Sequence, residues 1–158
     1  MNQTLQERRI FTEIAYFKTI YNSIMLEIED DTIKMTVKNP KDPSYPTVLF
    51  TMKNYPFHAP IVECFNKNYI VWRKYCAYPK IVEAINKINR INDNNTTCFC
   101  CDSIVQEWSP AIILEKILDE IMRTITLKKQ VRLLFQLNEI GKRYNIPESL
   151  EIVIFKYL

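Results

Sequence analysis

A chain of 158 residues with a single glycine, Gly141, lacks the usual means of turning sharply. Glycine enters left-handed backbone without a steric penalty. Turns that need a positive φ must here fall on asparagine or aspartate, or give way to proline-containing turns. The clearest case is Glu29-Asp30-Asp31-Thr32, which lies between two segments of period-two alternation. One runs from Met25 to Glu29 through Leu26 and Ile28, the other from Thr32 to Lys38 through Ile33, Met35 and Val37. The pattern predicts a hairpin turning on its acidic pair.

The remaining segments build outward from that hairpin. Thr4-Leu5-Gln6-Glu7 has the form of a capping box, and Ile10, Ile14, Phe17 and Tyr21 follow at helical spacing, which predicts a helix over about residues 4–22. After a proline-bearing loop over residues 39–46, Thr47 to Lys53 and Ile61 to Phe65 read as a third and a fourth strand. Ile81, Ile85 and Ile88 predict a helix over about residues 79–90. Ser109 is a good N-cap and Pro110 a good first helical residue. They precede the stripe of Ile113, Ile117 and Ile121 with Leu114, Leu118 and Met122, which runs through about residue 124. A further helix is expected over about residues 126–144, ending near Gly141 or Asn145. Pro147 opens a last amphipathic helix through Leu150, Val153 and Ile154. A helix, a four-stranded antiparallel meander and then helices make an α+β layout.

Composition sets the outer limits. With 47% hydrophobic and 25% charged residues, the chain is expected to form one domain, residues 1–158, around a sizeable core. The net charge is only +3. The paired cations Arg8-Arg9 and Lys128-Lys129 are too few for a nucleic-acid footprint. No run of about 18 apolar residues occurs, so no membrane span is expected and a soluble protein of cytoplasm or nucleus is. Five cysteines is an odd number, which argues against a closed secreted disulfide framework and for free thiols, metal ligands or a nucleophile.

The thiols gather in Thr97-Cys98-Phe99-Cys100-Cys101-Asp102, and Cys100 precedes Trp108-Ser109-Pro110-Ala111 by eight residues. A thiolate on a surface loop braced by a rigid helix start is suited to carrying an acyl group. Other readings stand beside it. Cysteine often serves as a small buried hydrophobe, the simplest reading of Cys64 and Cys76. Cys98 and Cys101 have zinc-ligand spacing that Cys64 and Cys76 would have to complete. The same pair as a redox couple lacks a βαβ context. His58 reads as a surface or capping residue and Trp108 as a core anchor of the loop.

Three motifs resemble the ubiquitin-conjugating enzymes, the UBC fold. Asn39-Pro40-Lys41-Asp42-Pro43-Ser44-Tyr45 before Val48-Leu49-Phe50 is similar to that family's loop into its third strand. Tyr55-Pro56-Phe57-His58-Ala59-Pro60 resembles its Tyr-Pro-Phe-x-x-Pro signature. Cys100-Cys101-Asp102 with Trp108-Ser109-Pro110-Ala111 resembles its nucleophile segment at the family's spacing, and Arg8-Arg9-Ile10 the basic start of its first helix. The likeness covers residues 4–65 and 92–124. It implies a ubiquitin-conjugating acyltransferase that takes ubiquitin, or a ubiquitin-like modifier, from an activating enzyme as a thioester on Cys100. The modifier then passes to a lysine or a ligase. Asn92 stands where the family's Asn assists the oxyanion, Phe57, Pro110 and Ala111 where it binds ligases, and Arg8 and Arg9 where it meets the activating enzyme. No cofactor and no metal is implied.

The departures are specific. Arg90-Ile91-Asn92 replaces the family's His-Pro-Asn. A surplus over about residues 66–91 is expected to form an added helix before the active-site loop. Residues 125–158 diverge from the family's last helices. The lost His-Pro supports an alternative, a catalytically inactive relative that binds ubiquitin or a ligase. The tail from Ile146 loosely resembles the start of an F-box, against the plainer expectation of a helix that packs on the domain. The abundance of Asn, Ile and Lys is read as a coding bias, and the Asn- and Ile-rich, divergent sequence suggests a fast-evolving lineage such as a large DNA virus.

Overall fold

The structure is a computed structural model and describes residues 4–21, 23–38, 45–74, 78–92 and 103–157. Its elements are α1 (Leu5–Ile20), β1 (Ser23–Glu29), β2 (Thr32–Lys38), β3 (Val48–Lys53), β4 (Ile61–Cys64), β5 (Lys67–Asn68), α2 (Tyr69–Lys74), α3 (Pro79–Ile91), α4 (Leu114–Tyr144) and α5 (Glu148–Tyr157). This is the expected α+β class. The capping box of α1 forms as expected: the Glu7 N–H donates to Thr4 Oγ1 at 3.2 Å and the Thr4 N–H to Glu7 Oε2 at 2.8 Å.

The strands pair in chain order, all antiparallel. Register aligns Met35 with Phe50 and Phe50 with Val62, and likewise Val37 with Val48 and Val48 with Cys64. These side chains share one face because alternate residues of a strand point the same way, and all of them are buried. The Phe17 ring of α1 meets the Phe50 ring edge-on at 6.4 Å.

Three expectations are corrected. Among the described residues the sheet has five strands, not four. The short β5 pairs Lys67 with Cys64 across a two-residue turn of Phe65 (φ 54°) and Asn66 (φ 57°). Two successive positive φ values make the tight turn whose twist suits a hairpin. A phenylalanine in that conformation gives no sequence signal. Its ring lies 5.4 Å from that of Trp72. The helix expected to start at Ser109-Pro110 starts instead at Leu114. Ser109 accepts from the Ile112 N–H in a single turn, and the Leu114 N–H goes to Glu13 Oε2 of α1 at 2.8 Å. A carboxylate from another helix thus does the capping. Finally, the two helices expected over residues 110–124 and 126–144 are one, since neither Gly nor Pro separates them and Thr124 and Ile125 are both buried. The one helix ends as expected by Asn145 (φ 52°), with the Ile146 N–H on the Gly141 carbonyl at 2.9 Å. That bond is the outer one of a left-handed helix stop.

The chain divides into two compact units, Met1–Trp72 with Asp102–Met122, and Arg73–Cys101 with Arg123–Leu158. The first holds α1, the sheet and the start of α4. The second has its own core, in which Ala84, Ile85 and Ile88 of α3 meet Leu127, Val131, Leu134 and Leu137 of α4 and Phe155 of α5. The surplus around residues 66–91 yields α2 and α3. With the divergent C-terminal stretch, α3 builds the second unit. The tail packs: Phe155 is buried and Ile154 lies against the same cluster. No helix among the described residues is long and apolar enough to cross a membrane.

Candidate active site

Cys100 lies outside the described residues, as do Cys76, Cys98, Cys101, Asp102, Asn94 and Asn95 and the loop residues 39–44. The structure describes the segments on either side of the thiol stretch.

Downstream, the chain is held from Ser103 onward. Ser103 is fully buried, and its carbonyl accepts from the N–H groups of Gln106 and Glu107 at 2.8 and 3.0 Å. Its hydroxyl accepts from the Val105 N–H at 3.2 Å. Glu120 on α4 accepts the Ile104 N–H at 2.8 Å through one oxygen and the Tyr69 hydroxyl at 3.0 Å through the other. Trp108 then donates its indole N–H to the Pro56 carbonyl at 2.8 Å, and its ring lies 5.6 Å from that of Tyr55. This bond joins the Tyr-Pro-Phe loop to the Trp-Ser-Pro-Ala segment, two motifs some fifty residues apart in sequence. Trp108, expected as a core anchor, is half-buried and tied to Pro56 and Tyr55. Phe57 is 67% exposed, and Pro110 and Ala111 are exposed as well. His58 is exposed, with its backbone N–H on the Asn54 carbonyl.

Behind these loops sits a carboxylate that the sequence reading missed. Glu13 is buried on α1. One oxygen accepts the Tyr55 hydroxyl at 2.7 Å and pairs with the Arg9 guanidinium; the other takes the Leu114 N–H. Arg9 also reaches the Ile112 carbonyl at 3.2 Å. Burial first, and then the bond to Glu13, push the Tyr55 phenol well above its ordinary range. The hydrogen bond to Glu13 likewise raises Arg9. A signal existed: Glu13 interrupts the apolar stripe of Ile10, Ile14 and Phe17, where a charge has to find partners. Of the two expected contacts for an activating enzyme, Arg8 is exposed, while Arg9 is half-buried with its head group on Glu13 and Ile112.

Upstream, Asn92 is the C-cap of α3, exposed, with its backbone N–H on the Ile88 carbonyl at 3.0 Å. Its side-chain amide has no hydrogen-bond partner among the described residues. It belongs to the second unit, the Phe57 and Pro110 segments to the first. Among the described residues no group of three or more His, Cys, Asp or Glu is arranged to hold a metal ion. Of the thiols in the zinc alternative, Cys64 is described, and it is buried on β4 beneath the sheet's apolar face. Comparison with protein-family models, with curated proteins and with solved structures finds no match to the chain.

Proposed function

We propose that this chain is a ubiquitin-conjugating acyltransferase of the UBC type, with Cys100 as the thioester carrier. The observation that supports it most is the Trp108 to Pro56 hydrogen bond. It brings together the two most specific motifs of the resemblance and leaves Phe57, Pro110 and Ala111 exposed beside it, as a ligase-docking patch requires. An initial helix followed by an antiparallel meander is compatible with the same layout.

The chemistry has two acyl transfers. The Cys100 thiolate attacks the modifier's C-terminal carbonyl on the activating enzyme; a C–S bond forms and the activating enzyme's thiolate leaves. A lysine amine then attacks the Cys100 thioester; a C–N bond forms, the Cys100 thiolate leaves and the amine loses its proton to solvent. The thiolate suits both roles, nucleophile and leaving group. Each step passes through an oxyanion, and in the transfer to lysine the Asn92 side-chain amide donates to it. Arg8 contacts the activating enzyme, with Arg9 beside it fixing the start of α4. The partners are ubiquitin or a ubiquitin-like modifier, the activating enzyme and a ligase.

The test is incubation with activating enzyme, ubiquitin and ATP followed by a non-reducing gel. A thiol-sensitive band one ubiquitin heavier is expected, absent in Cys100→Ala and kept in Cys101→Ala. Asn92→Ala is expected to charge normally and to discharge to lysine about 10²-fold more slowly. A second reading, an inactive modifier- or ligase-binding relative, is favoured by Arg90-Ile91-Asn92 in place of His-Pro-Asn. Under it no thioester band forms, while Phe57→Ala still weakens capture of a ligase domain.

A further inference from the structure

The second unit carries a groove of about 630 Å³ between α3 and α5, within the size range of ligand sites. Its α3 wall presents Glu83, Asn86, Lys87 and Arg90, one face of the helix at spacings of three and four. Its α5 wall presents Glu148, Ile152 and Lys156, four residues apart each time. Ile91 and Ile152 give it apolar surface.

The charges are not balanced within it. Lys87 is taken by Glu148, Nζ to Oε1 at 2.7 Å. Arg90 and Lys156 have no ion-pair or hydrogen-bond partner among the described residues, and both are exposed. Glu83 is the only carboxylate left to oppose them among the groove's residues. Two unpaired cations against one remaining carboxylate leave the groove net positive beside isoleucine surface, which complements an anion attached to an apolar body. A free inorganic anion would use the first feature and waste the second.

We propose that this groove docks an acidic peptide segment of a substrate protein, its carboxylates on Arg90 and Lys156 and an apolar side chain on Ile91 and Ile152. Cys100 follows Asn92, the cap of α3, by eight residues, a covalent reach of at most about 28 Å. A segment held in the groove therefore brings a lysine in the same region of the substrate within range of the carrier thiol. That last step rests on Cys100 acting as proposed, whereas the docking itself does not.

The two are separable by experiment. The intact, uncharged chain is titrated against a fluorescein-labelled peptide rich in glutamate and leucine, read by fluorescence anisotropy. Arg90→Glu with Lys156→Glu is expected to weaken binding by about tenfold. Lys18→Glu with Lys38→Glu, the same change in net charge on the first unit, is expected to leave it within about twofold. Melting curves confirm that both variants fold, and Arg90→Gln with Lys156→Gln repeats the test without reversed charges. Equal weakening by both pairs overturns the proposal, because net charge alone is then responsible. Displacement by an equal concentration of inorganic phosphate overturns it too, as does tighter binding of a labelled RNA through Arg90 and Lys156. If the peptide binds as expected but Cys100 never accepts ubiquitin, the groove stands and the conjugating function falls. If both hold, the charged chain discharges faster to a lysine in the acidic peptide than to one in a neutral peptide, and the Arg90/Lys156 variant loses that preference.

Discussion

At the scale of single residues the most consequential group is one that does no chemistry. The Glu13 carboxylate holds a phenol, a guanidinium and the first N–H of α4 together. Truncating it leaves the Tyr55 hydroxyl and the Leu114 N–H without their acceptor. Each orphaned buried group costs about 1–3 kcal/mol, so Glu13→Ala is expected to lose about 3 kcal/mol by denaturant titration and Glu13→Gln less. Tyr55 carries a pH signature. Its phenol is raised in the folded state from the ordinary 10.0. The corresponding stability is fully present below that unfolded value and is lost as pH rises through and above it. Tyr55→Phe is therefore expected to be less stable at neutral pH, by about 1 kcal/mol, yet to lose less further stability on the alkaline side. Melting temperatures measured on either side of about pH 10 check both; equal alkaline slopes would exclude Tyr55 as a source.

At the scale of elements, regular patterns were legible and tertiary substitutions were not. Alternation located β1 to β4, and three isoleucines located α3 to within a residue of each end. The start of α4 was misplaced because its cap comes from Glu13, far away in the chain. β5 was missed because a two-residue strand has no period and its turn begins on phenylalanine. The scarcity of glycine was the better guide. Of the described non-glycine residues with positive φ, Asp30, Asn54, Asn66 and Asn145 are of the expected types, and Phe65 is the exception. Gly141 itself has no positive φ; it lies under the α5 side chain of Glu151, whose carboxylate occupies the place a Cβ would take. The stop of α4 can be tested at Asn145. Asn145→Ala is expected to cost about 1 kcal/mol, since left-handed backbone penalises a Cβ that makes no compensating bond. Asn145→Gly should match or exceed the parent in a thermal melt.

At the scale of the whole molecule, motif and divergence separate. The stretches that carry the UBC resemblance fall largely in the first unit, and the surplus and the divergent C-terminus build most of the second. Phe57 and Pro110 were singled out by their motifs and are exposed, whereas the Trp108 to Pro56 bond that joins their segments could not be read from the sequence, because the two motifs lie far apart in the chain. The α3 and α5 groove was not legible either, because it depends on which faces two distant helices turn to each other. Phe155 tests the independence of the second core. Phe155→Ala removes a buried ring worth about 3–5 kcal/mol. Hydrogen exchange is expected to quicken at α3, α5 and the later turns of α4, with β2 and β3 protected as before. Uniform loss across the sheet would show one cooperative core instead.

The left-handed turns built on asparagine have a chemical corollary. An asparagine side chain ages by cyclising onto the next backbone nitrogen, fastest when glycine follows it. Asn54, Asn66 and Asn145 are followed by Tyr55, Lys67 and Ile146, and the lone glycine follows an isoleucine. The corners of this protein are thus shaped by an ageing-prone residue type in settings that slow its deamidation.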